Sequence, residues 1–157
     1  MASSLKSLSV VEIPEVSNKS KLKVAIILAN WNNDITYELR DGAIATFAEI
    51  GLSEKNIAVK YVPGTFELVL GAQHFCEQKY DAVICLGCVI QGDTPHFTFI
   101  CDAVANGIMK VNLKSNKPVA FGVITTLNKK QALERAGGKL GNKGEEAALT
   151  VVKMLEF

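Results

Sequence analysis

Ala82-Val83-Ile84-Cys85-Leu86-Gly87-Cys88-Val89-Ile90 runs directly into Gln91-Gly92-Asp93-Thr94-Pro95, and this junction decides how the chain is read. The first nine residues form an unbroken apolar run, the pattern of a strand buried on both faces. The polar loop leads into helical spacing, with Phe97, Ile100, Val104, Ile108 and Val111 on one stripe. Strand, polar loop and amphipathic helix make the repeating unit of a helix-covered parallel sheet.

The same unit recurs on either side. Toward the N-terminus, residues 22–29 and 57–62 read as strands, the second ended by Pro63-Gly64. Ile35, Leu39, Ala43, Phe47 and Ile50 recur at helical spacing before Gly51, a stop signal, and residues 66–78 are also helical. Toward the C-terminus, residues 119–124 predict the fourth strand. A helix over 131–136 is broken by Gly137-Gly138, and a last helix covers 142–156. The expected fold is α/β, a flavodoxin-like three-layer sandwich. Its four-stranded parallel sheet carries helices on both faces, joined by right-handed crossovers. Strand order is not readable. Residues 1–20 read as an arm and 21–157 as a single domain. Within the arm, Val10-Val11-Glu12-Ile13 has strand character and needs an edge to pair with, its own or a neighbour's.

Composition narrows the classes. With 17 basic and 16 acidic side chains the net charge is +1, which gives no electrostatic reason to expect nucleic acid or a membrane surface. No apolar stretch approaches the roughly 20 residues that span a bilayer. Residues 1–23 lack the apolar core of a signal peptide, and four cysteines suit a reducing compartment, so a cytoplasmic protein is expected. Cys85 and Cys88 have C-x-x-C spacing, but within an apolar strand they read as small hydrophobes rather than a metal site.

Ligands of an open parallel sheet bind outside the carboxyl ends of its strands. That rule selects Asn30-Trp31-Asn32, residues 63–67, residues 91–96, and Phe121-Gly122 with Thr125-Thr126. Trp31 can stack on an aromatic ring or fill core space, and Phe121 can do either. Glu67 can accept hydrogen bonds from sugar-like hydroxyls or complement a helix start. Asp93 or Thr94 can cap the next helix, whose N-terminus also suits phosphate. His96 can shuttle protons near neutrality or be structural, while His74 lies mid-helix and reads as structural. Arg135 and Lys143 can pair with phosphate. Neither G-x-x-x-x-G-K-[ST] nor G-x-G-x-x-G nor G-x-S-x-G occurs, which disfavours nucleoside triphosphates, dinucleotides and serine hydrolysis.

Five segments in this order resemble the lumazine synthases: Ala29-Asn30-Trp31-Asn32, residues 62–68, residues 87–97, residues 121–126 and residues 131–144. That resemblance implies joining of 5-amino-6-ribitylaminouracil to 3,4-dihydroxy-2-butanone 4-phosphate, with no metal or redox cofactor. It implies that Trp31 stacks on the pyrimidine, that Thr65, Phe66 and Glu67 hold the ribityl side, and that Cys88, Val89 and Ile90 line the ring. Phe121 from an adjacent subunit would complete that pocket. Asp93 and Thr94 would hold the butanone phosphate with Arg135, assisted by Lys143, and His96 would transfer protons. The resemblance also implies a pentamer, with a 60-subunit icosahedral shell in some members and riboflavin synthase as a candidate partner. The arm would then add a strand to a neighbouring subunit. Trp31 stands where Phe is frequent, and Gln91 where many members carry Arg; the latter shifts phosphate binding toward Arg135.

Overall fold

A computed structural model describes residues 21–157; the arm and its expected strand pairing lie outside the described residues. The chain runs β1 (Val24–Ala29), α1 (Asn33–Ile50), a 3-10 turn (Glu54–Asn56), β2 (Ile57–Val62), α2 (Leu68–Cys76), β3 (Ala82–Ile90) and α3 (His96–Ser115). It continues through β4 (Val119–Thr126), α4 (Lys129–Leu133), β5 (Ala136–Gly138), β6 (Gly141–Asn142) and α5 (Lys143–Leu155). The main sheet has the order β2-β1-β3-β4 and is parallel throughout.

The apolar runs form strands because both faces are covered. Val24, Ile26 and Leu28 pack with α1 and α5, while Ala25 and Ile27 pack with α2 and α3. The period-2 alternation of strand side chains therefore feeds two separate cores from one continuous run. Cys85 belongs to the α2–α3 core and Cys88 to the α1–α5 core, so the C-x-x-C pair points to opposite faces of the sheet. Those two thiols cannot converge on one ion.

Strand order locates the functional edge. From β1 the chain steps outward to β2, then returns across β1 to β3 and on to β4. The switch in direction lies between β1 and β3, where their two departing loops separate and leave a crevice. Helices α1, α2 and α3 each begin just after a strand ends, so three helix N-termini face that same edge.

Several expectations are corrected. Helix α2 begins at Leu68 rather than at 66, because residues 65–67 are spent in the turn out of β2. Neither Asp93 nor Thr94 caps α3; Pro95, with its φ of −62° already helical, stands in the cap position. Strand β4 continues to Thr126 because Gln91 N–H reaches the Thr126 carbonyl at 2.9 Å, extending the ladder two residues. Helix α4 starts at Lys129 behind Asn128, whose side chain accepts from Gln131 N–H, and it stops at Leu133. Ala136 is thus not helical: it opens a small antiparallel hairpin, β5–β6, with Gly137 at φ 103° and Gly141 at φ 79°.

That hairpin is fastened to α1. Asn142 is buried; its Oδ1 accepts from Gly144 N–H at 2.8 Å and its Nδ2 donates to the Glu38 carbonyl at 2.9 Å. The residues around Lys143 are therefore a packing junction first.

Candidate active site

At the end of β1, Asn30 N–H donates to the Val62 carbonyl at 2.8 Å and Trp31 N–H to the Pro63 carbonyl at 3.1 Å. These bonds carry the loop one step beyond the sheet and turn the indole outward, 71% exposed. Trp31 is therefore not core. Asn32 follows in the left-handed region, and its Nδ2 crosses to the Cys88 carbonyl at 3.0 Å. Sequence reasoning assigns Asn32 no role beyond its place beside Trp31; the available signal is that asparagine tolerates a positive φ that most residues avoid.

At the end of β2, Phe66 is 56% exposed, and Glu67 stands in the cap position at the start of α2. The Glu67 carboxylate accepts from Gly64 N–H at 3.0 Å, which rigidifies the turn and aims an anionic acceptor at the sheet edge. Thr65 is 6% exposed and packs on β3, where a Cβ on Gly87 would lie 2.9 Å from the threonine side chain. Thr65 thus fixes the distance between α2 and β3 as well as flanking the edge.

At the end of β3, Cys88 is buried, Val89 and Ile90 are half-buried, and residues 91–96 are all exposed. His96 is the first residue of α3 and presents its imidazole to solvent, close to Asp93 and Thr94 in the chain. Burial pushes the Cys88 thiol up to about 12, with the Asp34 charge adding to it, and burial pushes Cys85 up as well. Both remain thiols at neutral pH, so neither is a nucleophile.

A pH dependence follows. An acid whose folded pKa stands above its unfolded value stabilises the fold below the unfolded pKa, and that margin shrinks as pH rises toward the folded value. From about pH 9 the unfolded chain ionises these thiols while the folded chain does not. Stability is expected to fall by about 1.4 kcal/mol per pH unit for each thiol. Urea unfolding of the protein and of Cys88→Ala across this range checks it: the variant should show a shallower slope, and identical slopes would remove Cys88 as the cause.

Two expected groupings are not present within one chain. Phe121 was expected at a strand end but sits five residues before the end of β4, about 16 Å down the strand, because β4 runs on to Thr126. It lies instead on the α3 side of the edge strand, 41% exposed, in a groove with Ala105, Met109 and Leu113. Arg135 and Lys143 are joined to each other through Lys143 N–H and the Arg135 carbonyl at 2.9 Å. Among the described residues, neither side chain bonds to Asp93, Thr94 or His96: Arg135 Nη1 donates to the Gln131 carbonyl, and Lys143 Nζ pairs with Glu146.

Comparison with known proteins identifies this architecture. A family model described as 6,7-dimethyl-8-ribityllumazine synthase matches residues 21–157. The chain belongs to that family. A lumazine synthase of Cytophaga hutchinsonii is 58% identical over 142 residues, covering 90% of this chain and 89% of the relative. Lumazine synthases of Phocaeicola vulgatus and Porphyromonas gingivalis are 46% and 49% identical, over 100% and 98% of this chain and 94% and 96% of theirs. The α/β sheet with order β2-β1-β3-β4 is the flavodoxin-like scaffold expected of a lumazine synthase. Among the described residues no helix is long and apolar enough to cross a membrane, and no three His, Cys, Asp or Glu residues cluster to hold a metal ion.

Proposed function

We infer that the protein is a transferase of riboflavin biosynthesis that condenses 5-amino-6-ribitylaminouracil with 3,4-dihydroxy-2-butanone 4-phosphate to 6,7-dimethyl-8-ribityllumazine. The observation that carries this reading is the family match across residues 21–157, with an exposed Trp31 standing at the sheet's switch point. Trp31 stacks on the pyrimidine, with Cys88, Val89 and Ile90 beside the ring. Thr65, Phe66 and Glu67 hold the ribityl chain, the Glu67 carboxylate supplying an acceptor for its hydroxyls. Asp93, Thr94 and the α3 N-terminus receive the butanone phosphate. Arg135 pairs with that phosphate: its contact to Gln131 uses one of five guanidinium donors. Lys143 contributes less, because Glu146 offsets its charge.

The amine of the uracil attacks the ketone, and loss of water gives a Schiff base. Phosphate then leaves, and the ribityl-bearing nitrogen closes the second ring with loss of another water. His96 carries protons between nitrogen, carbon and oxygen in these steps. The amine is already nucleophilic, so much of the acceleration comes from holding two reactants together.

The pocket is completed between subunits. Phe121 is turned away from its own crevice and shares an apolar groove at the β4 edge with Ala105, Met109 and Leu113, and it, Met109 and Leu113 are exposed. A surface of this kind calls for a partner, and a pentamer in which one subunit's Phe121 meets the next subunit's crevice supplies it. Sedimentation velocity distinguishes a pentamer from a 60-subunit shell. The reading places the reaction in the cytoplasm.

The deciding experiment follows growth of the lumazine chromophore on mixing both substrates with the protein. His96→Ala is expected to lower kcat about a hundredfold and stay above the uncatalysed reaction. Arg135→Ala is expected to raise KM for the butanone phosphate by about tenfold or more. No chromophore above background with the unaltered protein would overturn the reading.

A further inference from the structure

We propose that Asn32 is a positioning residue, a clamp that sets the gap between the Trp31 ring and the β3 segment Cys88-Val89-Ile90; this rests on the pocket reading given above. An indole that is 71% exposed has little packing to hold it, so its position is inherited from its backbone. That backbone is tied on one side by Trp31 N–H to the Pro63 carbonyl, toward β2. On the other side the tie is Asn32, whose Nδ2 reaches the Cys88 carbonyl at 3.0 Å across the β1–β3 crevice. The same residue turns the chain from loop into helix. Its φ of 57° and ψ of 47° reverse the backbone, and its carbonyl accepts from Ile35 N–H and Thr36 N–H at the start of α1.

The side chain is what makes the clamp specific. Asn32 makes no side-chain cap bond to α1, so the amide is spent on β3 and not on the helix. Three substitution patterns separate the roles this residue could play. If only the left-handed backbone mattered, Asn32→Gly would bind at least as well as asparagine, because glycine adopts that region without strain. If only helix initiation mattered, Asn32→Asp would equal asparagine, since both are favoured there. A clamp gives a different order: asparagine first, glycine next, aspartate last. An ionised aspartate accepts only, so it faces the Cys88 carbonyl with no donor and repels it.

The sole tryptophan makes the test direct, because Trp31 emission reports on a ring stacked against it. Titration with 6,7-dimethyl-8-ribityllumazine should quench the unaltered protein. Asn32→Gly should need about tenfold more ligand, the value of one lost hydrogen bond, and Asn32→Asp more again. In kinetics the KM for the ribitylaminouracil should rise in the same order, while KM for the butanone phosphate stays within about twofold. Glycine equal to asparagine, or aspartate equal to asparagine, overturns the clamp while leaving the pocket reading intact. Absence of quenching in the unaltered protein overturns the stacking role of Trp31 and the clamp with it.

Discussion

Gly144→Ala is expected to lose about 3 kcal/mol or more of folding stability. A Cβ at this position would lie 1.8 Å from the Leu39 carbonyl oxygen and 2.6 Å from its carbon. Both are backbone atoms of α1, which no rotamer change can move aside. Relief requires α5 to back away from α1, and Ala147, Ala148, Val151 and Val152 of α5 are buried in the core shared with Leu39 and Ala43. Separation would also pull Asn142 from the Glu38 carbonyl and from its cap on Gly144 N–H. For a chain of this size the thermal midpoint should drop by about 10 °C. Gly92→Ala is the control, since nothing lies within 4 Å of a Cβ there. Scanning calorimetry of both variants checks the expectation; equal midpoints would mean that α1 and α5 do not approach this closely.

Trp31→Ala is expected to raise KM for the ribitylaminouracil by about 30-fold, the loss of one aromatic stacking partner. At the same time it should leave stability within about 0.5 kcal/mol, because an indole 71% exposed contributes little to the core. Trp31→Phe should recover most of the binding, since a phenyl face still stacks. The combination is diagnostic: a core tryptophan would lose stability first and binding second. Thermal denaturation alongside substrate-dependent kinetics reads both. An alanine variant that melts early, or one whose KM does not move, would refute the stacking role.

The two residues differ in how far the sequence could anticipate them. Trp31 was legible because it directly follows an apolar strand, where the carboxyl-end rule places ligand contacts. Its outward orientation was not, since stacking and core packing predict the same residue at the same place. Gly144 stood in a motif read for Lys143, and its closeness to Leu39 involves positions 105 residues apart, which no local pattern records. Phe121 shows the same limit. Its place within the fourth strand was read correctly, but the strand's end was set by a ladder bond from Gln91, so the residue lies low on the edge instead of at the crevice.

The sequence by itself determined that strands and helices alternate, that the sheet is parallel and covered on both faces, and which chain segments leave the strands' carboxyl ends. These follow from apolar periodicity and turn chemistry, which act over a few residues. Its ordered motifs also determined the family. Only the tertiary structure decided the strand order β2-β1-β3-β4, and with it the crevice between β1 and β3 that Asn32 spans. It alone decided that Asn142 fastens the β5–β6 hairpin to α1 through the Glu38 carbonyl, and that Phe121 faces outward at an open edge. Each of these is a relation between distant segments, fixed by packing and hydrogen bonds that form only once the layers have assembled.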